Sequence, residues 1–379
     1  MGRIRIAFLI GHLGYGGTER QLYLLLTNLN LERLEPLVVV FNQSPNASFA
    51  EELEARGIRI IEIPDTCTGI VRRSFLLLRI LRRFQPSIVH SWTIHDNPYA
   101  GLVGRIARVP VRWGSARLSL ASDSFTALSR LNRWLSVFSV QRNTVNAESL
   151  VADLERAGYP SDRIDLIPNC VSSPERLPCA DFDFEEYGIG PSDPIVGIVA
   201  NYRRTKNLTM FIRVMKSVVE NCPGTHGVMV GHPVAAEPGM WEEVEREIRS
   251  CGLEGRIHMI GFRDDAPSLM ALFSMFLLTS TAEGTPNVLL EAMASGVSVV
   301  APAIDGIPTL IQHGSTGFLF PTGDVNTAAK CVVRLLEDQE LNLRVSGSAK
   351  TYVEALHQCA AMAAKFEAVY FDAYQSSRR

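Results

Sequence analysis

Short apolar runs rich in β-branched residues alternate with longer helical patterns along nearly the whole chain. This alternation is typical of parallel α/β sheets, in which a helix carries the chain back to the start of the next strand. The runs of the first half are IRIAFLIG, PLVVVF, IRIIEI, SIVHSW, VPVRWG, LSVFSVQ and RIDLIP, and those of the second half are PIVGIVA, HGVMVG, RIHMIGF, MFLLTS, GVSVVAP and TGFLF. The sequence therefore predicts two open parallel sheets in series.

A polar, proline-rich stretch without periodicity separates the two series of runs. We expect a Rossmann-like domain over 1–171, a linker over 172–194, a second Rossmann-like domain over 195–360 and a C-terminal helix over 361–379. The pattern CAAMAAKFEAVYFDAYQ in that last segment is amphipathic. We expect this helix to pack back towards the first domain.

The composition excludes several classes of protein. A formal net charge of −3 gives no electrostatic reason to expect nucleic acid as a partner. The seven cysteines are scattered and form no CxxC pair, so neither a disulfide framework nor a zinc site is indicated. No stretch approaches the ~20 apolar residues that span a bilayer. We expect a cytoplasmic protein, soluble or peripheral on the inner face of the membrane.

The stretch EGTPNVLLE places Glu283 and Glu291 eight positions apart, on either side of a predicted helix start. Glu283 follows the strand MFLLTS, and Thr285 and Pro286 read as the N-cap and the first helical residue. In open parallel sheets, ligands bind at the carboxyl ends of the strands, and we expect the site in a cleft between the two domains. A helix N-terminus there favours phosphate, and a carboxylate accepts hydrogen bonds from hydroxyls.

Solvated helix-terminal charges are the alternative interpretation of these two glutamates. For one glutamate near a helix N-terminus that interpretation is the better one. It is weaker for Glu291, because VLLEAMA is otherwise apolar and an unpaired charge there is costly.

The segment STAEGTPNVLLEAMASGVSVVAPAIDGIP resembles the E-x7-E region of retaining glycosyltransferase family 4, which has the GT-B fold. The likeness continues, in order, through GYGGTER, IPNCV, ANYRRTKN, MIGFRDD and HGSTGFLFPTGD. It covers almost the whole chain. It implies two Rossmann-like parallel-sheet domains facing a central cleft, with the acceptor on the first domain and a nucleotide-sugar donor on the second.

The resemblance also implies roles for residues of the second half. Glu291 would bind the ribose of the donor, and Glu283 the hydroxyls of the transferred sugar. The donor-binding set is completed by Gly284, Thr285, Asn287 and Val288, of which the backbone amides of Gly284, Asn287 and Val288 would assist Glu283.

Lys206 is the predicted partner of the donor diphosphate, because it follows the strand PIVGIVA and a fixed cation stabilises the charge of that leaving group. The family usually has an arginine directly after this strand, where this chain has Asn201. Arg203 or Arg204 must then take that role. Solvated loop charges are the alternative interpretation for Lys206 and these arginines.

Gly16 and Gly17 would let the first loop approach the diphosphate or the reacting sugar carbon. Taken alone, GHLGYGG also suggests a dinucleotide-binding turn. That reading needs an acidic residue near the end of the second strand, where the chain has Asn42 and Gln43, so a nicotinamide dehydrogenase is disfavoured.

The first domain lacks the histidine that the family commonly has after the fifth strand. Ser115 lies close to that position, and Arg117 is nearby. His12, His90 and His95 follow other strands of this half and could approach the acceptor, although a lone loop histidine is more often structural. A retaining transfer in which the leaving phosphate helps to deprotonate the acceptor needs no protein base.

No metal or other cofactor is expected. The DFD at 181–183 has the D-x-D form that metal-dependent glycosyltransferases of another fold use, but it falls in the predicted linker and reads as a polar connector.

The stretch VRRSFLLLRILRRF combines five arginines with apolar residues at helical spacing. A basic amphipathic helix can lie on an anionic membrane, and an ordinary helix that covers the sheet is the alternative. Tryptophans and arginines recur in WGSARLSLASDSFTALSRLNRW.

The expected function is therefore retaining, metal-independent transfer of a sugar from a nucleotide-diphosphate-sugar, UDP- or GDP-linked, to a glycan, lipid-linked or small-molecule acceptor in polysaccharide or glycoconjugate biosynthesis. A nucleotide-sugar epimerase or hydrolase on the same scaffold is one alternative. A catalytically silent binding subunit is another, left open by Asn201 and Ser115.

Overall fold

The computed structural model describes residues 3–43, 48–64, 69–121, 123–126, 128–172, 182–234 and 237–378. The chain divides into two compact units. Unit 1 consists of Met1–Cys170 with Cys359–Arg379, and unit 2 of Val171–Gln358. Much of the predicted linker, residues 173–181, lies outside the described residues, and its remaining part belongs to unit 2.

Unit 1 is built on a parallel sheet of seven strands in the order β3-β2-β1-β4-β5-β6-β7. The strands are β1 Ile4–Ile10, β2 Leu34–Val40, β3 Arg59–Glu62, β4 Ile88–Ser91, β5 Val111–Ala116, β6 Arg142–Val145 and β7 Ile164–Leu166. Most side chains of the central strands are apolar because helices cover both sides of the sheet. The buried polar exceptions include His90 in β4 and Ser115 in β5.

The helices of unit 1 connect these strands in the order that the alternating pattern predicts. They are α1 Gly17–Asn28, α2 Ala50–Ala55, α3 Ile70–Phe84, α4 Gly104–Ile106, α5 Asp123–Thr126, α6 Arg130–Phe138, α7 Glu148–Arg156 and, at the C-terminus, α15 Cys359–Ser376.

Unit 2 repeats this architecture with six parallel strands in the order β10-β9-β8-β11-β12-β13. The strands are β8 Ile195–Val199, β9 His226–Val230, β10 Ile257–Gly261, β11 Met275–Leu277, β12 Ser298–Pro302 and β13 Phe318–Phe320. The helices are α8 Leu208–Asn221, α9 Met240–Cys251, α10 Ala266–Met270, α11 Asn287–Ala294, α12 Ile307–Leu310, α13 Val325–Glu337 and α14 Gln339–Leu356.

One predicted strand is wrong. The run LSVFSVQ was expected to be the sixth strand, but Leu135 to Phe138 form the end of α6 and the strand is the following RNTV of β6. A short apolar run does not distinguish a strand from the buried side of a helix. Here Val137 is buried as part of an amphipathic helix whose exposed side carries Leu131 and Trp134.

The helix α15 completes the core of unit 1. Phe366 and Tyr370 are fully buried. Phe366 contacts Trp92, which directly follows β4, and Tyr370 contacts Trp113 of β5. Cys170 and Cys359, both in unit 1, are free thiols whose sulfur atoms lie 2.8 Å apart. The last helix therefore belongs to unit 1, although most of that unit lies at the other end of the chain.

In unit 2 a glycine is required where two strands end side by side. Gly231 follows β9 with a φ of +137°, and a Cβ atom there would lie 1.9 Å from the carbonyl oxygen of Ala200. The amide of Ala200 in turn donates to Val230. This close approach fixes the start of the loop after β8, which carries Lys206.

No helix in the described part of the chain is long and apolar enough to cross a membrane.

Replacing Phe366 by alanine should lower the free energy of unfolding of unit 1 by about 3–5 kcal/mol, because it leaves a cavity among buried aromatic rings. Phe75→Ala is the matched control, since Phe75 lies in the same unit and is 59% exposed. Urea unfolding followed by tryptophan fluorescence reports mainly on unit 1, which contains Trp92, Trp113 and Trp134. Equal midpoints for the two variants would contradict this role of α15.

Candidate functional site

The three neighbouring strands at the centre of unit 2 each end in a polar loop. Lys206 lies in the loop after β8, Glu283 in the loop after β11 and Asp305 in the loop after β12. Because all three strands are parallel, these loops meet at one edge of the sheet. Lys206 and Glu283, which the sequence predicted to lie after strands of this sheet, are thus close together.

Lys206 and Glu283 form an ion pair. The Nζ atom of Lys206 donates to Oε1 of Glu283 at 2.5 Å, and only 23% and 10% of the two side chains are exposed. A pair this sheltered is screened less by salt than a surface pair. The contact holds a cation and a carboxylate together at the ligand-binding edge of the sheet.

Hydrogen bonds fix the loops that carry this pair. The hydroxyl of Thr279 donates to the carbonyl oxygen of Lys206 at 3.0 Å, and the amide of Thr281 donates to that of Thr205 at 2.8 Å. The amide of Glu283 donates to Oδ2 of Asp305 at 2.7 Å. The three loops therefore form one preorganised surface.

The helix α11 begins at this surface. Its first residue is Asn287, with Pro286 at the N-cap, so it starts one residue later than predicted and Thr285 lies just before the cap. Pro286 has no side-chain group that caps the helix. The first-turn N–H groups of such a helix favour an anion, and the positive end of its dipole adds to that preference.

Glu291 lies on the same face of α11 as Asn287, the first residue of the helix. Leu289, Leu290, Ala292 and Met293 are fully buried, whereas Asn287, Val288 and Glu291 are partly exposed. Residues 287 and 291 are one turn apart, so these three side chains form one stripe. The charge predicted to be costly inside an apolar helix thus lies on its partly exposed face.

The two arginines after β8 differ in their surroundings. The backbone amide of Arg204 donates to Glu237 at 2.8 Å, and its exposed guanidinium lies 3.4 Å from Glu243 on α9. Arg203 is exposed and has no acidic partner in the described part of the chain. Arg203 is therefore the better placed of the two to meet an anionic ligand.

In unit 1, Gly16 is the N-cap of α1 and Gly17 is the first helical residue. The carboxylate of Glu19 folds back over Gly16, so that a Cβ atom there would lie 2.2 Å from Oε2. Glu19 is buried, and the imidazole of His12 lies 3.3 Å from it. A carboxylate here repels phosphate and accepts hydroxyl hydrogen bonds, so this loop suits a sugar better than a diphosphate.

Asp96 was missed by the sequence reasoning. It follows β4, is 8% exposed and accepts a hydrogen bond from the hydroxyl of Thr93 at 2.7 Å. Burial raises the pKa of its carboxyl group to about 6, and the charge of Glu19 adds to this rise. The pattern that indicates His90 and His95 in the sequence, a polar side chain just after a buried strand, also indicates Asp96.

The prediction that His90 and Ser115 approach the acceptor is corrected by their burial. The His90 ring is fully buried, with Nδ1 2.6 Å from the hydroxyl of Tyr370 and Nε2 3.0 Å from that of Ser115. Ser115 is equally buried and also lies 2.9 Å from the hydroxyl of Thr144. Burial lowers the pKa of His90 to about 3, so the ring is neutral and connects the sheet to α15.

The other predicted residues of unit 1 lie at its carboxyl edge. His12 is exposed in the loop after β1, and His95 is exposed in the loop after β4. Arg117 directly follows β5 and stacks on the ring of Trp92, with 4.0 Å between the guanidinium carbon and the ring centroid.

The described residues contain no cluster of three or more His, Cys, Asp or Glu side chains that could hold a metal ion. Of the DFD motif, Asp181 lies outside the described residues. Asp183 accepts a hydrogen bond from the amide of Glu185 and caps a short 3₁₀ turn, as a connector residue does.

Comparison with known proteins gives family matches over both units. Residues 15–173 match the model of glycosyltransferase family 4, and residues 193–338 match the model of the glycosyl transferases group 1. One relative is the N-acetyl-alpha-D-glucosaminyl L-malate synthase of Bacillus anthracis, 27% identical over 51% of this chain and 49% of that protein. Another is the UDP-Gal:alpha-D-GlcNAc-diphosphoundecaprenol alpha-1,3-galactosyltransferase of Escherichia coli, 22% identical over 76% of this chain and 77% of that protein.

The fold matches solved structures over nearly its full length. Anabaena Alr3699/HepE in complex with UDP-glucose superposes with a TM-score of 0.85 at 20% identity, covering 98% of this chain and 100% of that one. The predicted GT-B fold class, with two Rossmann-like parallel-sheet units, is confirmed.

Replacing Asp96 by asparagine should stabilise the protein at neutral pH by about 2–3 kcal/mol, because the folded-state pKa of about 6 exceeds the ordinary value of 3.8. The ionised carboxylate is penalised above pH 6, and proton uptake by the folded state relieves this penalty as the pH falls from 6 towards 4. The difference in unfolding free energy between variant and wild type should therefore shrink across that window. Asp162→Asn, a change at an exposed site, is the control. A difference that does not vary with pH would contradict the raised pKa.

Proposed function

Because the chain belongs to glycosyltransferase family 4, we propose that it is a retaining glycosyltransferase that moves a sugar from a nucleotide-diphosphate-sugar to an acceptor hydroxyl. Family membership makes it a glycosyltransferase of glycoconjugate biosynthesis. The donor, the acceptor and the stereochemistry are the proposed part.

The observation that carries this proposal is the arrangement at the edge of unit 2. A cation, a carboxylate and a helix N-terminus meet there at the ends of parallel strands, on loops that are hydrogen-bonded to one another. A sugar diphosphate offers the matching groups, which are a doubly charged diphosphate and a ring of hydroxyls.

Each residue then has a distinct role. Lys206 neutralises the diphosphate as it leaves, assisted by Arg203 and the first-turn amides of α11. Glu283 accepts hydrogen bonds from the sugar hydroxyls and keeps Lys206 in place through their 2.5 Å contact. Glu291, one turn further along α11, accepts a hydrogen bond from a ribose hydroxyl.

We propose UDP as the nucleotide of the donor. Two similar proteins support this choice: the Anabaena structure contains UDP-glucose, and the Escherichia coli relative is named for a UDP-galactose donor. In the proposed reaction the bond between the anomeric carbon and the diphosphate breaks, and the acceptor oxygen bonds to the same face of that carbon. The leaving phosphate takes the acceptor proton, so the reaction needs neither a protein base nor a metal.

The acceptor is proposed to be a glycan, a lipid-linked sugar or a small hydroxylated molecule bound by unit 1. A membrane-associated acceptor is favoured by α3. One face of this helix exposes Arg72, Phe75, Arg79, Arg82 and Arg83, while the opposite face buries Leu77 and Leu81 in the core.

The start of α3 adds apolar surface to this basic face. Ile70 and Val71 are 71% and 83% exposed, and Phe75 is 59% exposed. Exposed apolar side chains beside arginines suit the boundary of an anionic bilayer, in which the apolar groups insert and the guanidinium groups meet phosphates.

Replacing Glu291 by glutamine should weaken UDP binding about 10- to 100-fold, since it removes a charge-assisted hydrogen bond to the ribose. Replacing Lys206 by alanine should instead lower kcat about 100- to 1000-fold, because the leaving diphosphate loses its cation. Calorimetric titration with UDP and turnover of UDP-sugars measure the two effects. Glu242→Gln, on the exposed side of α9, is the matched control for charge.

The rival functions give different results in the same experiments. Release or isomerisation of the sugar from the donor alone, at a rate that no acceptor raises, would indicate a hydrolase or an epimerase. Absence of binding of UDP, GDP, ADP, dTDP and CMP to the wild type would overturn the proposal in favour of a silent subunit.

Neutralising Arg82 and Arg83 on α3 should weaken binding to phosphatidylglycerol vesicles by about tenfold or more, since each basic residue near an anionic surface contributes ~1 kcal/mol. Arg246→Gln with Arg249→Gln, two exposed arginines of α9, makes the same change of charge in unit 2. Flotation with phosphatidylglycerol and with phosphatidylcholine vesicles separates charge from apolar insertion. Wild-type protein that floats with neither would exclude the membrane contact.

A further inference from the structure

Arg117 is a sheltered cation with most of its donors unused. A guanidinium has five N–H groups. In the described part of the chain it makes one hydrogen bond, from Nη1 to the side-chain oxygen of Asn169 at 3.2 Å. Its Nε atom is buried and has no hydrogen-bond partner among the residues that the structure describes. Burial lowers the pKa of Arg117 to about 10, so the group remains charged at neutral pH.

Other arginines of this protein show how the same donors are ordinarily satisfied. Arg142, on the neighbouring strand β6, donates from Nε and Nη2 to the two oxygens of Asp165 at 2.9 and 2.6 Å. Arg263 in unit 2 uses the same two atoms to bind Asp265 at 2.7 and 2.6 Å. In Arg117 the corresponding edge of the guanidinium contacts no carboxylate of the described residues.

The described residues do not supply the missing counter-charge. No acidic side chain there lies within ion-pairing distance of Arg117. Glu19 affects its pKa only through longer-range attraction, and the carboxylate of Glu19 lies beside His12 and Gly16. A sheltered charge without a partner costs free energy, so a protein that keeps one usually has a use for it.

The position of Arg117 points to that use. It directly follows β5, and its partner Asn169 follows β7. Asn146, which follows β6, donates to the same side-chain oxygen of Asn169 at 3.2 Å. All three lie at the carboxyl edge of a parallel sheet, where such folds bind their ligands. Stacking on Trp92 fixes the plane of the guanidinium and leaves its edge for a ligand.

We propose that Arg117 binds a carboxylate or phosphate group of the acceptor, so that unit 1 selects acidic acceptors. This assignment rests on the proposed function only in calling the ligand an acceptor. The anion site itself belongs to unit 1, whereas the residues proposed for the donor belong to unit 2. The oxygens of a planar carboxylate or of a phosphate match the fork of Nε and Nη2.

The test is a side-chain NMR titration of the full chain labelled with 15N-arginine. The Nε–H signal of Arg117 is identified by its loss in Arg117→Lys. Glycerate, glycerol 3-phosphate and glycerol share one carbon skeleton and differ in the carboxylate, the phosphate or the lack of either. A saturable shift of the Arg117 signal with glycerate alone assigns a carboxylate, and with glycerol 3-phosphate alone a phosphate. No shift with either anion, or an equal shift with glycerol, overturns the proposal.

A kinetic comparison gives a second readout. For an acidic acceptor, Arg117→Gln should raise KM roughly 10- to 100-fold while the Kd for UDP stays unchanged. Arg105→Gln removes the same charge at an exposed position before β5 and should change neither value. The assignment of Arg117 as an anion site is wrong if the wild type transfers only to neutral acceptors, or if the KM of Arg117→Gln equals that of the wild type.

The two proposals can fail separately. If the protein does not bind UDP but the Arg117 signal shifts, the anion site is supported and the donor function is contradicted. A protein that binds and turns over UDP-sugars without any response of Arg117 keeps the donor function and loses the anion site.

Discussion

Every strand pairing within the two sheets is parallel, and this constraint determines where polar groups can be placed. A parallel strand must be followed by a crossover, so all strands of a sheet end at the same edge. Helices cover both faces, so the strands are largely apolar and the candidate functional side chains lie in the loops at that edge. This constraint places both the ion pair of Lys206 and Glu283 in unit 2 and the stacked Arg117 in unit 1 at such an edge.

The carboxyl edges of the two sheets differ in the charges that they carry. In unit 2 a cation and a carboxylate pair beside a helix N-terminus, which suits a ligand with both a phosphate and hydroxyls. In unit 1 the carboxylates of Glu19 and Asp96 are buried at one part of the edge, and Arg117 is stacked on Trp92 at another. A hydroxyl donor and an anion can be recognised side by side on such a surface.

The sequence predicted the strands well because a buried parallel strand leaves a strong local signal. It predicted LSVFSVQ wrongly because an apolar run of that length fits a helix side as well as a strand, and only packing decides between them. The start of α11 was predicted to within one residue, since proline strongly limits where a helix can begin.

Long-range pairs could not be read from the sequence. Lys206 and Glu283 are 77 positions apart, and His90 contacts Tyr370 across 280 positions. For His90 this contact decides the interpretation, because a loop histidine near an acceptor and a buried one within a sheet have the same local sequence. The sequence does indicate Asp96 as a candidate, because this residue directly follows His95 in the loop after a buried strand. Its raised pKa depends on burial and on Glu19, which only the fold reveals.

The membership of α15 in unit 1 has a consequence for biosynthesis. The segment of unit 2 is continuous, whereas the core of unit 1 lacks Phe366 and Tyr370 until α15 has left the ribosome. Unit 2 can therefore fold during translation while the first 170 residues still wait for their last helix. Through that interval the apolar side chains around Trp92 and Trp113 lack the helix that covers them in the folded unit.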